Sequence, residues 1–332
     1  MAKLFYAGIS GLGSAVPDKI MTNADWAKLV DTSDEWIRTR TGIEERRICA
    51  EDTAASDLAF LAAQRALQSA QAAPEEIDLI VVATSTPDYP IFPPVAALLQ
   101  DRLGCGKAGG FDLSAACSGF GYGFYTAAQF IESGELQKVL LVCVDTLSKN
   151  VDRTDRSVCV LFGDGAGALV LERTEVGYGH LASIVGLRGS GAPDLIVKLG
   201  GSKTPLTKEN IGNQDQYISM NGKGVFKFAV NIMGEATEQA IRKAGLTNKD
   251  IDFFVPHQAN IRIIDAAMRH LDLAPEKVIV NIQKYGNTSS ASIPLALDEA
   301  YRDGRLKKGS LIATCGFGAG LSWTANVLRW GK

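Results

Sequence analysis

Several scarcities narrow this sequence before any motif is read. Histidine occurs three times in 332 residues, as His180, His257 and His270. The six cysteines (Cys49, Cys105, Cys117, Cys143, Cys159 and Cys315) include no CxxC pair and no zinc-ligand spacing. Neither a resident metal nor a disulfide framework is expected, and a reduced, cytoplasmic setting fits best. No apolar run approaches the ~20 residues of a membrane span. The opening residues, Met1 to Gly8, lack the apolar core of a signal peptide. Membrane insertion is therefore not expected. Positive charge is not in excess, since the net charge is −3. That argues against nucleic acid as a partner, and any acidic partner must be met by a local basic patch.

What remains is an ordinary globular composition, 46% hydrophobic and 21% charged. The length suits one large domain or two fused medium ones. The chain also repeats itself. Ala66 to Val82 reads as a helix end, a turn and a buried strand, and Ala240 to Pro256 has the same pattern about 174 positions later. Pro94 to Leu103 and Arg262 to Leu271 both read as amphipathic helices. Ser133 to Val142 parallels Arg302 to Ile312, and Phe162 to Leu171 parallels Phe317 to Asn326. Two β/α halves in this order predict two mixed sheets with helices on both faces and a shared central helical layer. Residues 1–175 would form the first half and residues 176–332 the second. Functional residues of open α/β folds lie beyond the carboxyl ends of strands.

Three conspicuous side chains follow predicted strands. In Phe111-Asp-Leu-Ser-Ala-Ala-Cys117-Ser-Gly-Phe120 an apolar strand enters a turn of small residues, and a helical pattern follows over Gly121 to Ile131. A sulfur at a helix N-terminus meets the positive end of the peptide dipoles, which favours the nucleophilic thiolate. His257 follows Ile251 to Pro256. Asn287 follows a predicted strand over Val278 to Gln283, and the repeat places its turn opposite that of Cys117. A cysteine nucleophile, backbone amides for an oxyanion, and two neutral donors for an enolate oxygen would together suit condensation of thioesters. The other histidines read as surface residues. Cys143 and Cys159, in apolar strand-like runs, read as core packing.

These residues resemble the β-ketoacyl-[acyl-carrier-protein] synthase III family, thiolase-fold condensing enzymes. The resemblance spans essentially the whole chain. It rests on Val30 to Ile43, Ala115-Ala-Cys-Ser-Gly119, Leu161-Phe-Gly-Asp-Gly-Ala-Gly167, Val255 to Ile263, and Tyr285-Gly-Asn-Thr-Ser289. It implies an α/β thiolase fold of two pseudosymmetric halves in a layered αβαβα architecture. The implied reaction is decarboxylating condensation of a short acyl-CoA with malonyl-[acyl carrier protein]. The products are 3-ketoacyl-[acyl carrier protein], CO2 and CoA, and no separate cofactor is needed. Cys117, His257 and Asn287 match the catalytic triad, and the amides of Cys117 and Ala319 match the oxyanion donors. Trp36, Arg40, Arg156, Gly222 and Asn260 match CoA contacts. Lys227, Gln258, Ala259, Asn260, Ile261 and Arg262 match or adjoin the carrier-protein docking surface, with Arg269 further along the same helix. Phe92 and Phe317 match the acyl pocket, Phe92 reaching across a homodimer. The stretch from Gly189 to Gln216 is longer than in the shortest members and bears on pocket access. Cys315 reads as a packed strand cysteine rather than a thiolase base. Two alternative readings use the same residues: a specialised relative of secondary metabolism, and a non-catalytic partner subunit.

Overall fold

A computed structural model describes residues 4–332. The first sheet contains β1 (Tyr6–Ala15), β2 (Leu79–Ala83), β3 (Gly109–Leu113), β4 (Lys138–Asp145) and β5 (Gly165–Thr174). Their spatial order is β1-β5-β4-β2-β3. Strand β2 is parallel to β3 and β4, and the other pairs are antiparallel. The second sheet contains β6 (Gly179–Leu187), β7 (Phe253–Pro256), β8 (Leu311–Gly318) and β9 (Ser322–Arg329). Its order, β6-β9-β8-β7, repeats the first four strands of its partner in position and direction. The counterpart of β3 is reduced to a bridge between Phe254 and Val278. The strand expected over Val278 to Gln283 is therefore absent, and a short helix, Ile282–Tyr285, begins there instead.

Six longer helices complete the layers: α1 (Ala55–Ala70), α2 (Val95–Leu103), α3 (Gly119–Glu132), α4 (Gly222–Lys243), α5 (Ile261–Leu271) and α6 (Ser292–Arg302). The burial of β4 explains the arrangement. Val139, Leu141 and Cys143 face one core, while Leu140, Val142 and Val144 face another. A strand apolar on both sides must be covered on both sides. Helices α3 and α6 fill the central layer, with Phe120, Phe124 and Ile131 packed among Ile293, Ala296 and Leu297. Helices α1 and α2 cover the outer face of the first sheet, and α4 and α5 cover that of the second. The αβαβα order follows. The central layer is tight: a Cβ at Gly121 of α3 would lie 2.2 Å from Thr324 Cγ2 on β9.

Between the repeated elements sit three insertions. The first holds a small ribbon, Ile20–Thr22 with Glu45–Arg47, and the helix Asp34–Thr41. The second covers residues 146–164, and the third covers residues 188–221, where Leu195–Ile196 pairs with Ser219–Met220. All three gather on the side of the sheets where Cys117 lies. Among the described residues no helix is long and apolar enough to cross a membrane, and no side-chain cluster suits a metal.

Some expectations need correction. His180 is buried, not exposed: its Nδ1 lies 2.8 Å from Glu132 Oε1, and its Nε2 lies 2.9 Å from Ser183 Oγ. His270 does reach the surface, 3.6 Å from Glu238. Cys143 and Cys315 are buried strand residues, whereas Cys159 is buried in a turn.

Candidate active site

Cys117 sits in a single 3-10 turn, Ala116–Ser118, between β3 and α3. Ala116 adopts φ 48°, the left-handed region. For a residue with a Cβ that conformation is strained, and it persists where surrounding packing fixes it. Here the packing is backbone against backbone. A Cβ at Gly318, the last residue of β8, would lie 2.6 Å from Cys117 N. Glycine is thus required at 318, and Ala319 in the next turn is brought beside Cys117. Both residues border one cavity.

Cys117 is only 8% exposed. Burial pushes its thiol up to about 12, a hydrogen bond from Ser289 opposes this, and the charge of Asp145 adds to the rise. At neutral pH the resting sulfur therefore carries its proton. Desolvation outweighs the pull of the helix N-terminus, which by itself favours the thiolate.

His257 follows β7 and is tied by its own N–H to Cys315 O at 2.8 Å. Its Nδ1 lies 2.6 Å from Ser292 Oγ, and its ring meets Phe317 edge to face at 5.5 Å. Burial lowers the imidazole to about 3, so it is neutral at working pH. Asn287 is held across the two halves. Its N–H donates to Leu161 O at 2.9 Å, and its C=O accepts from Gly163 N at 3.0 Å. Its Oδ1 accepts from Ser289 N at 2.9 Å, which leaves the Nδ2 donors for the cavity. The Leu161-Phe-Gly163 motif thus clamps Asn287 rather than touching a ligand through polar groups.

Two cavities meet at Cys117. One, of about 150 Å³, is largely apolar and is bounded by Thr86, Ala116, Leu147, Ile196 and Ile218. The other, of about 100 Å³, presents His257, Asn287, Asn260 and Gly222. Phe317 borders the second, beside His257, and not the first cavity where an acyl-pocket role would put it. Phe92 borders neither; it is 76% exposed in this single chain, next to Ile91 at 81%. Leu195, Ile196, Val197 and Ile218 bring the third insertion into the first cavity.

At the outer end, Arg40 and Arg156 both lie over the Trp36 ring, at 4.7 and 5.4 Å. Arg156 is also tethered to the Asp31 backbone carbonyl and, at 3.1 Å, to its carboxylate. Asn260 caps α5 by accepting from Arg262 N and donates to Arg40 O, each at 2.9 Å. It therefore ties the first insertion to the second half. Lys227, Arg262 and Arg269 are exposed, with Arg262 lying over Phe226, while Ala259 and Ile261 are half-buried. Gln258 is buried and does not reach any docking surface. Its amide donates to Pro256 O and Ile279 O and accepts from Asn281 N and Ile282 N. Sequence reasoning missed Asp145, Ser289 and Ser292. The available signal was a lone acid, Asp145, ending the apolar run Val139 to Val144.

A layered αβαβα scaffold with a cysteine at the junction of its halves defines a thiolase-fold condensing enzyme of the acyltransferase type. The family described as 3-oxoacyl-[acyl-carrier-protein (ACP)] synthase III matches residues 111–189, and its C-terminal region matches residues 241–330. The chain is 54% identical over 330 residues to the β-ketoacyl-[acyl-carrier-protein] synthase III of Symbiobacterium thermophilum, covering 99% of this chain and 100% of that one. The enzyme of the same name from Caldanaerobacter subterraneus is 51% identical over 332 residues, the full length of both. The Thermus thermophilus synthase III crystal structure superposes with a TM-score of 0.91 at 50% identity, covering 98% of this chain and 99% of that one. The chain belongs to the β-ketoacyl-[acyl-carrier-protein] synthase III family.

Proposed function

We propose that this enzyme condenses a short acyl-CoA with malonyl-[acyl carrier protein], with loss of CO2, to begin fatty acid synthesis. The observation that carries the reading is the meeting of two unlike cavities at one sulfur. Cys117 would attack the thioester and hold the acyl chain in the apolar cavity, while the amides of Cys117 and Ala319 receive the oxyanion. CoA would approach past Trp36, Arg40 and Arg156, whose flat cations and indole suit a base and its phosphates. Gly222 leaves room for the pantetheine arm, and Asn260 borders its path.

The acyl-enzyme would then meet the malonyl thioester in the second cavity. Decarboxylation leaves an enolate whose oxygen needs donors and no competing base. With the Ser292 hydroxyl donating to Nδ1, His257 presents Nε2–H, and Asn287 presents Nδ2–H beside it. Exposed Lys227 and Arg262 supply positive charge for an acidic carrier protein. Exposed Ile91 and Phe92 support a homodimer in which this apolar loop is covered by the partner. Six free, buried cysteines support a reducing, cytoplasmic setting. A specialised relative in secondary metabolism would share this chemistry and differ in its acyl donor.

Stoichiometry tests the reading. Mixing short acyl-CoAs, malonyl-[acyl carrier protein] and enzyme is expected to release CO2 and CoA one for one, with a ketoacyl product. CoA release by hydrolysis with no ketoacyl product would contradict it.

A further inference from the structure

Asn287 would give one of the two donors of the enolate pocket, and one segment, Leu161 to Gly163, sets its position. Its N–H donates to Leu161 O at 2.9 Å, its C=O accepts from Gly163 N at 3.0 Å, and Phe162 bridges to it as in a parallel ladder. The residue that fastens this segment lies in the first insertion. Arg46 Nη2 donates at 2.6 Å to the carbonyl of Val160, which directly precedes Leu161. Its Nη1 donates to Met21 O at 3.1 Å and to Asn23 Oδ1 at 2.9 Å. Asn23 is itself fixed, because its amide also donates to Asp34 Oδ1 at 2.9 Å and to Ile43 O at 2.7 Å. The stem of Arg46 is wedged as well. A Cβ at Gly163 would lie 3.0 Å from Arg46 Cβ, and one at Gly286 would lie 3.2 Å from it. Gly163 binds Asn287 and Gly286 precedes it, so Arg46 packs against both sides of the Asn287 clamp.

A cation is a costly choice for that place. Arg46 is fully buried, and burial lowers its guanidinium to about 10, which leaves it charged at neutral pH. Among the described residues its hydrogen-bond partners are carbonyl oxygens, not carboxylates. Glu45 adjoins it in the chain, but that carboxylate pairs with Arg47 at 3.6 Å. The Arg46 Nε–H finds no acceptor. An apolar side chain of similar length would avoid these costs. What the guanidinium supplies is geometry, a planar fork whose donors point in fixed directions. The fork joins Met21 and Asn23 to Val160, which lies 114 positions away. Charge-assisted bonds of this kind are roughly twice as strong as neutral ones.

We propose that Arg46 is a positioning residue for decarboxylation: it locks the segment from Val160 to Gly163 so that Asn287 keeps its amide in the second cavity. This rests on the proposed role of Asn287 as an enolate donor. Arg46 borders neither cavity at Cys117, so it acts through Asn287. The nucleophile is held by another route. Its turn is packed against Gly318 at the end of β8, and no hydrogen bond of Arg46 leads there. Loss of the fork therefore separates the two steps, with acyl transfer kept and decarboxylation lost. Asp34 opens the helix that carries Trp36 and Arg40. Through Asn23, the same bonds tie the proposed CoA contacts to the proposed enolate donor.

The test reads two rates in wild type, Arg46→Met and Arg46→Lys. Acylation is followed by intact mass with the short acyl-CoA that loads wild type fastest. Decarboxylation is followed by CO2 release from saturating malonyl-[acyl carrier protein]. In Arg46→Met the decarboxylation kcat is expected to fall ~10²-fold, the cost of a displacement near 1 Å. Acylation is expected to stay within about threefold of wild type. Arg46→Lys keeps one charged donor for Val160 O and should recover roughly tenfold of the loss. Both rates falling together would mark a packing defect and overturn the proposal, as would decarboxylation within about twofold of wild type. A double variant sharpens the test. In an Asn287→Ala background, Arg46→Met should cost less than about twofold more, because its route is already cut. A full multiplicative loss would mean that Arg46 acts elsewhere, and would overturn the assignment. If Arg46→Met fails to fold, Arg46→Lys is judged by the same two rates, with decarboxylation expected to fall about tenfold. Failure of both variants to fold would make Arg46 a folding residue and overturn it too. A wild-type chain that loads an acyl group and releases no CO2 would instead overturn the proposed function.

Discussion

The turn at Cys117 and the turn at Ser290 are the same backbone used twice. Each begins with a non-glycine residue in the left-handed region, Ala116 at φ 48° and Ser289 at φ 52°. Each makes one 3-10 turn and feeds a buried central helix, α3 or α6. Cys117 and Ser290 occupy the matching second position. Yet the sulfur borders two cavities, while the Ser290 hydroxyl donates to Ala83 O at 3.0 Å and to Asp145 at 2.8 Å. The surrounding residues differ in kind as well. The residue after β2 is Thr84 and the residue after β7 is His257; β4 ends in Asp145 and β8 ends in Gly318. The repeat supplies the same strained turn in both halves. What stands at the neighbouring strand ends sets the two turns apart.

The largest test of this asymmetry moves the thiol. Cys117→Ala should lower acyl transfer by at least ~10³-fold, as loss of a nucleophile does. Ser290→Cys should gain no second acyl adduct, because that side chain points into Ala83 and Asp145. A second adduct in intact-protein mass spectra would break the distinction between the turns. A somewhat smaller effect should separate the halves by reaction step. His257→Ala and Asn287→Ala should still form the acyl-enzyme, while ketoacyl product falls by roughly 10²–10³-fold, the scale of a lost oxyanion donor. Wild-type condensation in either variant would remove the enolate pocket from the account.

Gly318 sharpens the comparison at the level of backbone. Gly318→Val places a Cβ 2.6 Å from Cys117 N, so the Cys117 turn must shift. A displacement near 1 Å can cost ~10²-fold. The expected result is a fall in kcat for acylation larger than the loss in thermal stability would suggest.

The smallest effect concerns pH. The folded-state pKa of His257 is lowered from 6.5 to about 3. Between those values the unfolded chain binds the proton first. The stability contribution is complete above about pH 6.5 and drains away as pH falls toward 3. His257→Gln should therefore flatten the decline of melting temperature across that window. An unchanged slope would mean that the imidazole is not desolvated as described.

Much of this was legible because the repeat is written in apolar patterning. Residues 79–83 and 139–144 can only be strands covered on both faces, and their copies at 253–256 and 311–315 follow suit. Cys117 and His257 each stand just after a strand, as expected, whereas Asn287 follows a short helix and the turn matching that of Cys117 begins two residues later, at Ser289. Other features depend on partners far along the chain. Gln258 adjoins His257 in sequence, yet its amide closes four backbone bonds in the interior. His180 looks like a loop residue until Glu132 meets it. Asp145 and Ser290 hydrogen-bond although they lie 145 positions apart, and no local pattern joins them. Trp36, Arg40 and Arg156 belong to insertions outside the repeat, where periodicity is silent and only family resemblance gave them a role. The sequence leaves the state of the Cys117 proton open for a physical reason: helix geometry is visible in a sequence, whereas desolvation is not.

The central claim is that acyl transfer and condensation share Cys117. Intact-protein mass spectrometry after exposure to a panel of short acyl-CoAs, followed by a malonyl-[acyl carrier protein] chase, addresses it directly. The account predicts one acyl adduct, mapped to Cys117, that the chase removes as 3-ketoacyl-[acyl carrier protein]. An adduct that survives the chase, or none with any donor, would contradict it.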